Sequence, residues 1–145
     1  MTTTIEEALE GSTPLAQKVR AGGPYRTGTQ LIASMRAALP TLTDEQKVET
    51  LNAHPRIGED LERLSTRSLK EQGADRLPAD QLPELRRLND EYERRFGFRF
   101  VVFVNRRPKK DIVKVLHARL RRTREEELQE GLRAIVAIAE DRLRS

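Results

Sequence analysis

Phe98-Arg99-Phe100-Val101-Val102-Phe103-Val104 is the one strongly β-favouring run in the chain, and no second run is available to pair with it. A strand without a partner cannot complete a hydrogen-bonded ladder, so the sequence excludes a sheet-based fold and predicts an all-α one. The run itself is predicted as a short buried extended segment between helices. Its backbone N–H and C=O groups then need partners from side chains, water or a ligand.

Apolar residues elsewhere recur at helical spacing, which predicts a single-domain bundle of about seven or eight helices over residues 1–145. Pro14 to Val19 is weakly periodic, and Ala21-Gly22-Gly23-Pro24 is a turn. Thr27 or Thr29 can cap a helix carrying Leu31, Ile32, Met35 and Leu39, which Pro40 interrupts. Thr43 and Gln46 have capping-box spacing, and Val48 and Leu51 continue one apolar face toward His54. Leu61 and Leu64 suggest a short helical piece, and Gly73 to Pro78 reads as a loop. Asp80 can cap the next helix, with Pro83 at an early tolerated position, Leu85, Leu88 and Tyr92 as its stripe and Gly97 as its stop. Pro108 and Asp111 open a helix bearing Ile112, Val115, Leu116 and Leu120, where His117 reads as a surface residue. The last helix starts at the capping box Thr123 and Glu126 and carries Leu128, Leu132, Ile135, Ala139 and Leu143.

The 145 residues are enough to bury a core without staples, and the chain contains no cysteine. Thiolate nucleophiles, disulfides and cysteine-ligated metals are therefore excluded. The two histidines, His54 and His117, have no metal-ligand spacing, so neither a metal nor another cofactor is expected. No stretch approaches the ~20 apolar residues of a membrane span, so a soluble, cytoplasmic protein without membrane contact is predicted. The formal charge of +4 raises the question of nucleic acid. Acidic residues are interspersed with the basic ones and aromatics are few, so the charge reads as solvated helix faces and no nucleic acid is expected as a partner.

Two positions stand out as candidate chemistry. Proline disfavours the α conformation of the residue before it, so a helix should end at or just before His54. The negative end of that helix would favour imidazolium, which suits a proton-handling group, although His54-Pro55 also reads as a plain helix stop. Arg142 points within roughly 20° of Ile135, near the middle of the last helix's apolar stripe. An arginine aimed at the core needs an anion or several acceptors, unless it snorkels to water near the chain end. Ser68 and Glu71 have capping-box spacing, a structural role for both.

Five pieces in order then carry a resemblance: His54-Pro55-Arg56-Ile57-Gly58, Ser68-Leu69-Lys70-Glu71-Gln72, Leu88-Asn89-Asp90-Glu91-Tyr92, Phe96-Gly97-Phe98-Arg99-Phe100-Val101, and Ile138-Ala139 through Arg142-Leu143. Together they resemble the 2-oxo-4-hydroxy-4-carboxy-5-ureidoimidazoline (OHCU) decarboxylases of urate breakdown. The resemblance implies an all-helical, cofactor-free homodimer that acts on a small-molecule substrate and yields (S)-allantoin. It assigns His54, Glu71 and Arg142 as catalytic, and Pro55, Ser68, Leu69, Lys70, Glu71, Gln72, Phe100, Val101, Val102, Phe103 and Val104 as substrate-contacting. Three departures bear on the pocket rim: a short loop after Gln72, Arg99 where proline is common, and Asp141 where leucine is usual, placed to pair with Arg142 or a neighbour. The rival reading is a basic helical module that binds nucleic acid or a protein partner without catalysis. It leaves Arg142 on an apolar face and the His54-Pro55 break unexplained.

Overall fold

Threonine hydroxyls open most of the helices in the computed structural model, which describes residues 4–56, 82–104 and 109–144. Thr4 and Glu7 close a capping box on α1 (Ile5–Ala8), and Thr13 caps α2 (Pro14–Ala21), whose first residue is proline. Thr27, rather than Thr29, caps α3 (Gly28–Ala38) by accepting from the Gln30 N–H at 3.1 Å. A 3-10 turn at Leu39–Thr41 absorbs Pro40, and Thr43 with Gln46 forms the expected capping box on α4 (Asp44–Asn52). Each such cap satisfies amide groups that the helix cannot, for about 1 kcal/mol apiece. The remaining helices are α5 (Leu82–Phe96), α6 (Lys109–Arg119) and α7 (Arg124–Arg144). Gly97, at φ 83°, turns the chain out of α5 through the left-handed region. Thr123 and Glu126 make their reciprocal bonds at the start of α7, at 3.2 and 3.0 Å.

Helix α7 is the element on which the others pack. Its buried face includes Leu128, Gly131, Leu132, Ile135, Ile138 and Ala139, and α1, α3, α4 and α5 all lie against it. Gly131 is where α4 approaches closely, since a Cβ there would stand 2.8 Å from Leu51 Cδ2. That contact brings the C-terminal end of α4, and with it His54, against the long helix. Leu51 is fully buried, so the approach is fixed on both sides.

Phe98 to Val104 follows α5 as non-helical chain, and no strand occurs among the described residues. Its backbone finds side-chain partners. The Arg99 N–H donates to Asn52 Oδ1 at 2.9 Å, and the Val101 carbonyl accepts from Arg119 Nη1 at 2.9 Å. Phe98 and Phe100 bury themselves edge-on against Tyr92, with ring centroids 6.0 and 5.3 Å away. The expected all-α fold is therefore what forms, with the β-favouring run held as a buried strap. No helix among the described residues is long and apolar enough to cross a membrane.

Candidate active site

Helix α4 ends where proline requires. Its cap residue is Ala53, the His54 N–H closes the last turn on the Leu51 carbonyl at 3.1 Å, and Pro55 follows in non-helical backbone. His54 is 4% exposed, so the i, i+3 step from Leu51 does carry the imidazole inward. Its Nε2 is buried and, among the described residues, has no hydrogen-bond partner. An unsatisfied buried polar atom costs about 1–3 kcal/mol, an expense that packing alone does not explain.

The charge state differs from the one suggested by the helix end. Burial pushes the His54 imidazole down to about 4 from an ordinary 6.5, and the nearby Arg142 guanidinium pushes the same way, against a smaller opposing pull from Glu10. The helix dipole, which favours imidazolium, is outweighed because it acts at a terminus normally wet, and this one is dry. At neutral pH the imidazole is neutral and can accept a proton.

Arg142 reaches the same place from α7. It is 2% exposed and does not snorkel to water. Its Nη2 pairs with Glu10 Oε1 at 2.7 Å, and its Nη1 donates to the carbonyls of Ala8 at 3.1 Å and Glu7 at 3.4 Å. The core-facing arginine thus has the several acceptors that its position demanded. Asp141 is exposed, and among the described residues the acid that meets Arg142 is Glu10.

The strap joins the site through Arg99. Its Nη1 donates to the His54 carbonyl at 2.9 Å, and its N–H, which a proline would lack, holds Asn52 at the end of α4. Arg56, next along the chain, pairs with Asp90 at 2.6 Å and Glu93 at 2.7 Å, tying the residues after His54 to α5. Phe100, Val101 and Val102 are buried, and Phe103 and Val104 are half-buried.

Of the residues that the sequence singled out, the structure brings His54 and Arg142 together and starts the strap beside them. Ser68, Leu69, Lys70, Glu71 and Gln72 lie outside the described residues, as do the expected helical piece at Leu61 and Leu64 and the cap at Asp80. His117 is exposed and meets Glu84 at 3.2 Å, as a surface residue would. A groove of about 770 Å³ between α3 and α7 is bordered by Arg36, Leu39, Phe103, Val136 and Glu140, but by neither His54 nor Arg142.

Two features escaped the sequence reading. One is Glu10, which sits outside any helix. The other is a buried network in which Glu127, fully enclosed, accepts from the Tyr92 hydroxyl and from Arg119 Nε, both at 2.6 Å. Burial, then the bond to Glu127, pushes the Tyr92 hydroxyl far up and keeps it protonated. Arg119 also lies over the Phe100 ring, 4.7 Å from its centroid. The signal for Glu127 was its place on the α7 wheel, one turn before Gly131 on the buried face.

The model of the OHCU decarboxylase family matches residues 1–144. The uric acid degradation bifunctional protein PucL of Bacillus subtilis (strain 168) is 32% identical over 146 aligned positions, covering 99% of this chain but only 29% of that protein. The chain thus spans less than a third of that relative's length. The 2-oxo-4-hydroxy-4-carboxy-5-ureidoimidazoline decarboxylase of Haloferax volcanii is 30% identical, with 94% of this chain and 83% of that one covered. A crystal structure of an OHCU decarboxylase in the presence of (S)-allantoin superposes with a TM-score of 0.78 at 24% identity, over 95% of this chain and 92% of the other, and so shares its fold. By the family match across its length and the Haloferax relative beside it, the chain belongs to the OHCU decarboxylase family.

Proposed function

We propose that this chain catalyses the cofactor-independent decarboxylation of 2-oxo-4-hydroxy-4-carboxy-5-ureidoimidazoline to (S)-allantoin, as a carboxy-lyase of urate degradation. The observation that carries the reading is the buried, neutral imidazole of His54, its Nε2 unpartnered among the described residues, near the buried guanidinium of Arg142. Membership of the family supports the substrate and product.

The chemistry asks little of a cofactor. The bond to the carboxylate breaks, carbon dioxide leaves, and the electron pair passes into the adjacent imine of the ring, whose nitrogen takes up a proton from solvent. The substrate hydroxyl gives up its proton as its carbon becomes a carbonyl, and one proton is delivered to one face of the carbon bearing the ureido group. The protein's part is orientation, stabilisation of developing charge and control of that face. His54 takes the hydroxyl proton as a general base and returns it as an acid. A bound carboxylate beside the imidazole would offset Arg142 and strengthen it as a base. Arg142 holds an anionic or carbonyl group of the substrate with fixed donors. Glu71 sets the imidazole's tautomer or binds ureido N–H groups. Pro55, Ser68 through Gln72 and the backbone of Phe100 to Val104 complete the pocket.

The direct test generates the unstable substrate from urate enzymatically and follows its decay together with the handedness of the allantoin. Spontaneous decay gives racemic product, so the expected result is faster decay and an excess of the S form. Unaccelerated decay or racemic allantoin would sink the assignment. The same reading has the chain act as one domain in the cytoplasm and as a homodimer, without a nucleic-acid partner. Light scattering at twice the 16.6 kDa chain mass is the expected result, and a monomer at micromolar concentration removes the dimer.

A further inference from the structure

Glu10 occupies an unusual place. It follows α1 with φ at 61°, the left-handed region that a glutamate rarely adopts, and Gly11 continues the turn at φ 116°. A side chain with a Cβ is strained there, and the strain persists only where the surroundings impose it. What the turn accomplishes is to aim the carboxylate inward. The Glu10 side chain is 11% exposed, and it meets Arg142 Nη2 at 2.7 Å while the two carbonyls of α1 take Nη1. One short helix and the turn after it therefore grip the guanidinium across its width, and its charge is felt at His54.

We propose that Glu10 is a positioning residue for catalysis: its carboxylate holds the Arg142 guanidinium in register with His54 and offsets part of its positive charge. This rests on the functional reading above. An arginine fixed by a carboxylate is held in one orientation, so a long side chain need not be ordered again at each turnover. The charges that act on the imidazole among the described residues are Arg142 from α7 and Glu10 from the turn after α1, while Arg99 from the strap bonds the His54 backbone carbonyl. Glu10 is the one acid of this set, and it already acts on His54 in the direction opposite to Arg142.

The test uses Glu10→Gln, which keeps the length and one acceptor oxygen, and Glu10→Asp, which keeps the charge but shortens the reach. The 145-residue chain has two histidines, so their imidazole resonances can be followed separately by NMR. In Glu10→Gln, His54 should titrate at lower pH than in the wild type. Its kcat should fall about tenfold to a hundredfold, beyond any change in KM. Glu10→Asp should leave the His54 titration near that of the wild type yet still lose kcat, since the guanidinium moves. An unmoved His54 titration in Glu10→Gln, together with wild-type kcat, overturns the proposal whatever happens to Tm. If the wild-type chain shows no decarboxylation, the functional reading fails instead, and the titration of Glu10→Gln against wild type still decides whether the carboxylate acts at His54.

Discussion

Replacing His54 by asparagine is expected to lower kcat/KM for the OHCU reaction by roughly a thousandfold, the scale of a lost general acid–base group, with the fold retained. The fold should survive because, among the described residues, the imidazole's Nε2 makes no hydrogen bond that the helix end depends on. A variant within tenfold of the wild type would remove His54 from the proton path. The same substitution carries a stability signature with a definite sign. In the folded chain the imidazole is pushed down to about 4, whereas in the unfolded chain it stands near the ordinary 6.5. As pH falls through 6.5 the unfolded chain takes up this proton and the folded chain resists it. Stability is therefore lost between 6.5 and 4, and the contribution of His54 is flat outside that window. The shift corresponds to about 3 kcal/mol at most. Urea midpoints at pH 7 and 5 should fall for the wild type and change distinctly less for His54→Asn. Parallel pH dependences in the two proteins would show that His54 is not the buried neutral group described.

What could be read from the sequence was what is set within a few residues. The threonine caps, the Pro40 interruption and the Gly97 stop follow from local backbone chemistry, and all stand in the structure. Arg142 was legible because helical period places it on a face that α7 has to bury. The strap was legible by exclusion, as a β-favouring run with no partner. Its actual partners, Asn52 and Arg119, were not, because a backbone group's partner is chosen by packing. Glu10 was invisible for the same reason, since it stands in a turn and pairs with a residue 132 positions away. The protonation of His54 went astray because the helix dipole is local, while burial and Arg142 are tertiary. Glu127 is one of three consecutive glutamates in the first turn of α7, where acids usually answer the helix dipole from the surface. Only its side of the helix distinguishes it from Glu125 and Glu126.

That third glutamate carries the largest stability effect expected outside the candidate site. Arg119 is 7% exposed and Glu127 is fully buried, so Arg119→Leu leaves a carboxylate in the core with the Tyr92 hydroxyl and the half-exposed Arg122 as its remaining described partners. It also takes the donor from the Val101 carbonyl and the cation from the face of Phe100, so the strap loses its clamp at the same stroke. Removing one partner of a buried pair typically costs about 3–5 kcal/mol, which for a chain of this size lowers Tm by roughly 10 °C or more. The penalty belongs mostly to the stranded charge rather than to the lost attraction. Arg119→Leu combined with Glu127→Leu should therefore recover a large part of it, because two apolar side chains leave no uncompensated ion. The double variant still lacks the donor to Val101, so its Tm should rise toward the wild-type value while KM stays raised if the strap's backbone binds substrate. A double variant less stable than Arg119→Leu alone would mean that the ion pair itself, and not the burial of an unmatched carboxylate, holds Tyr92, Phe100 and α7 together.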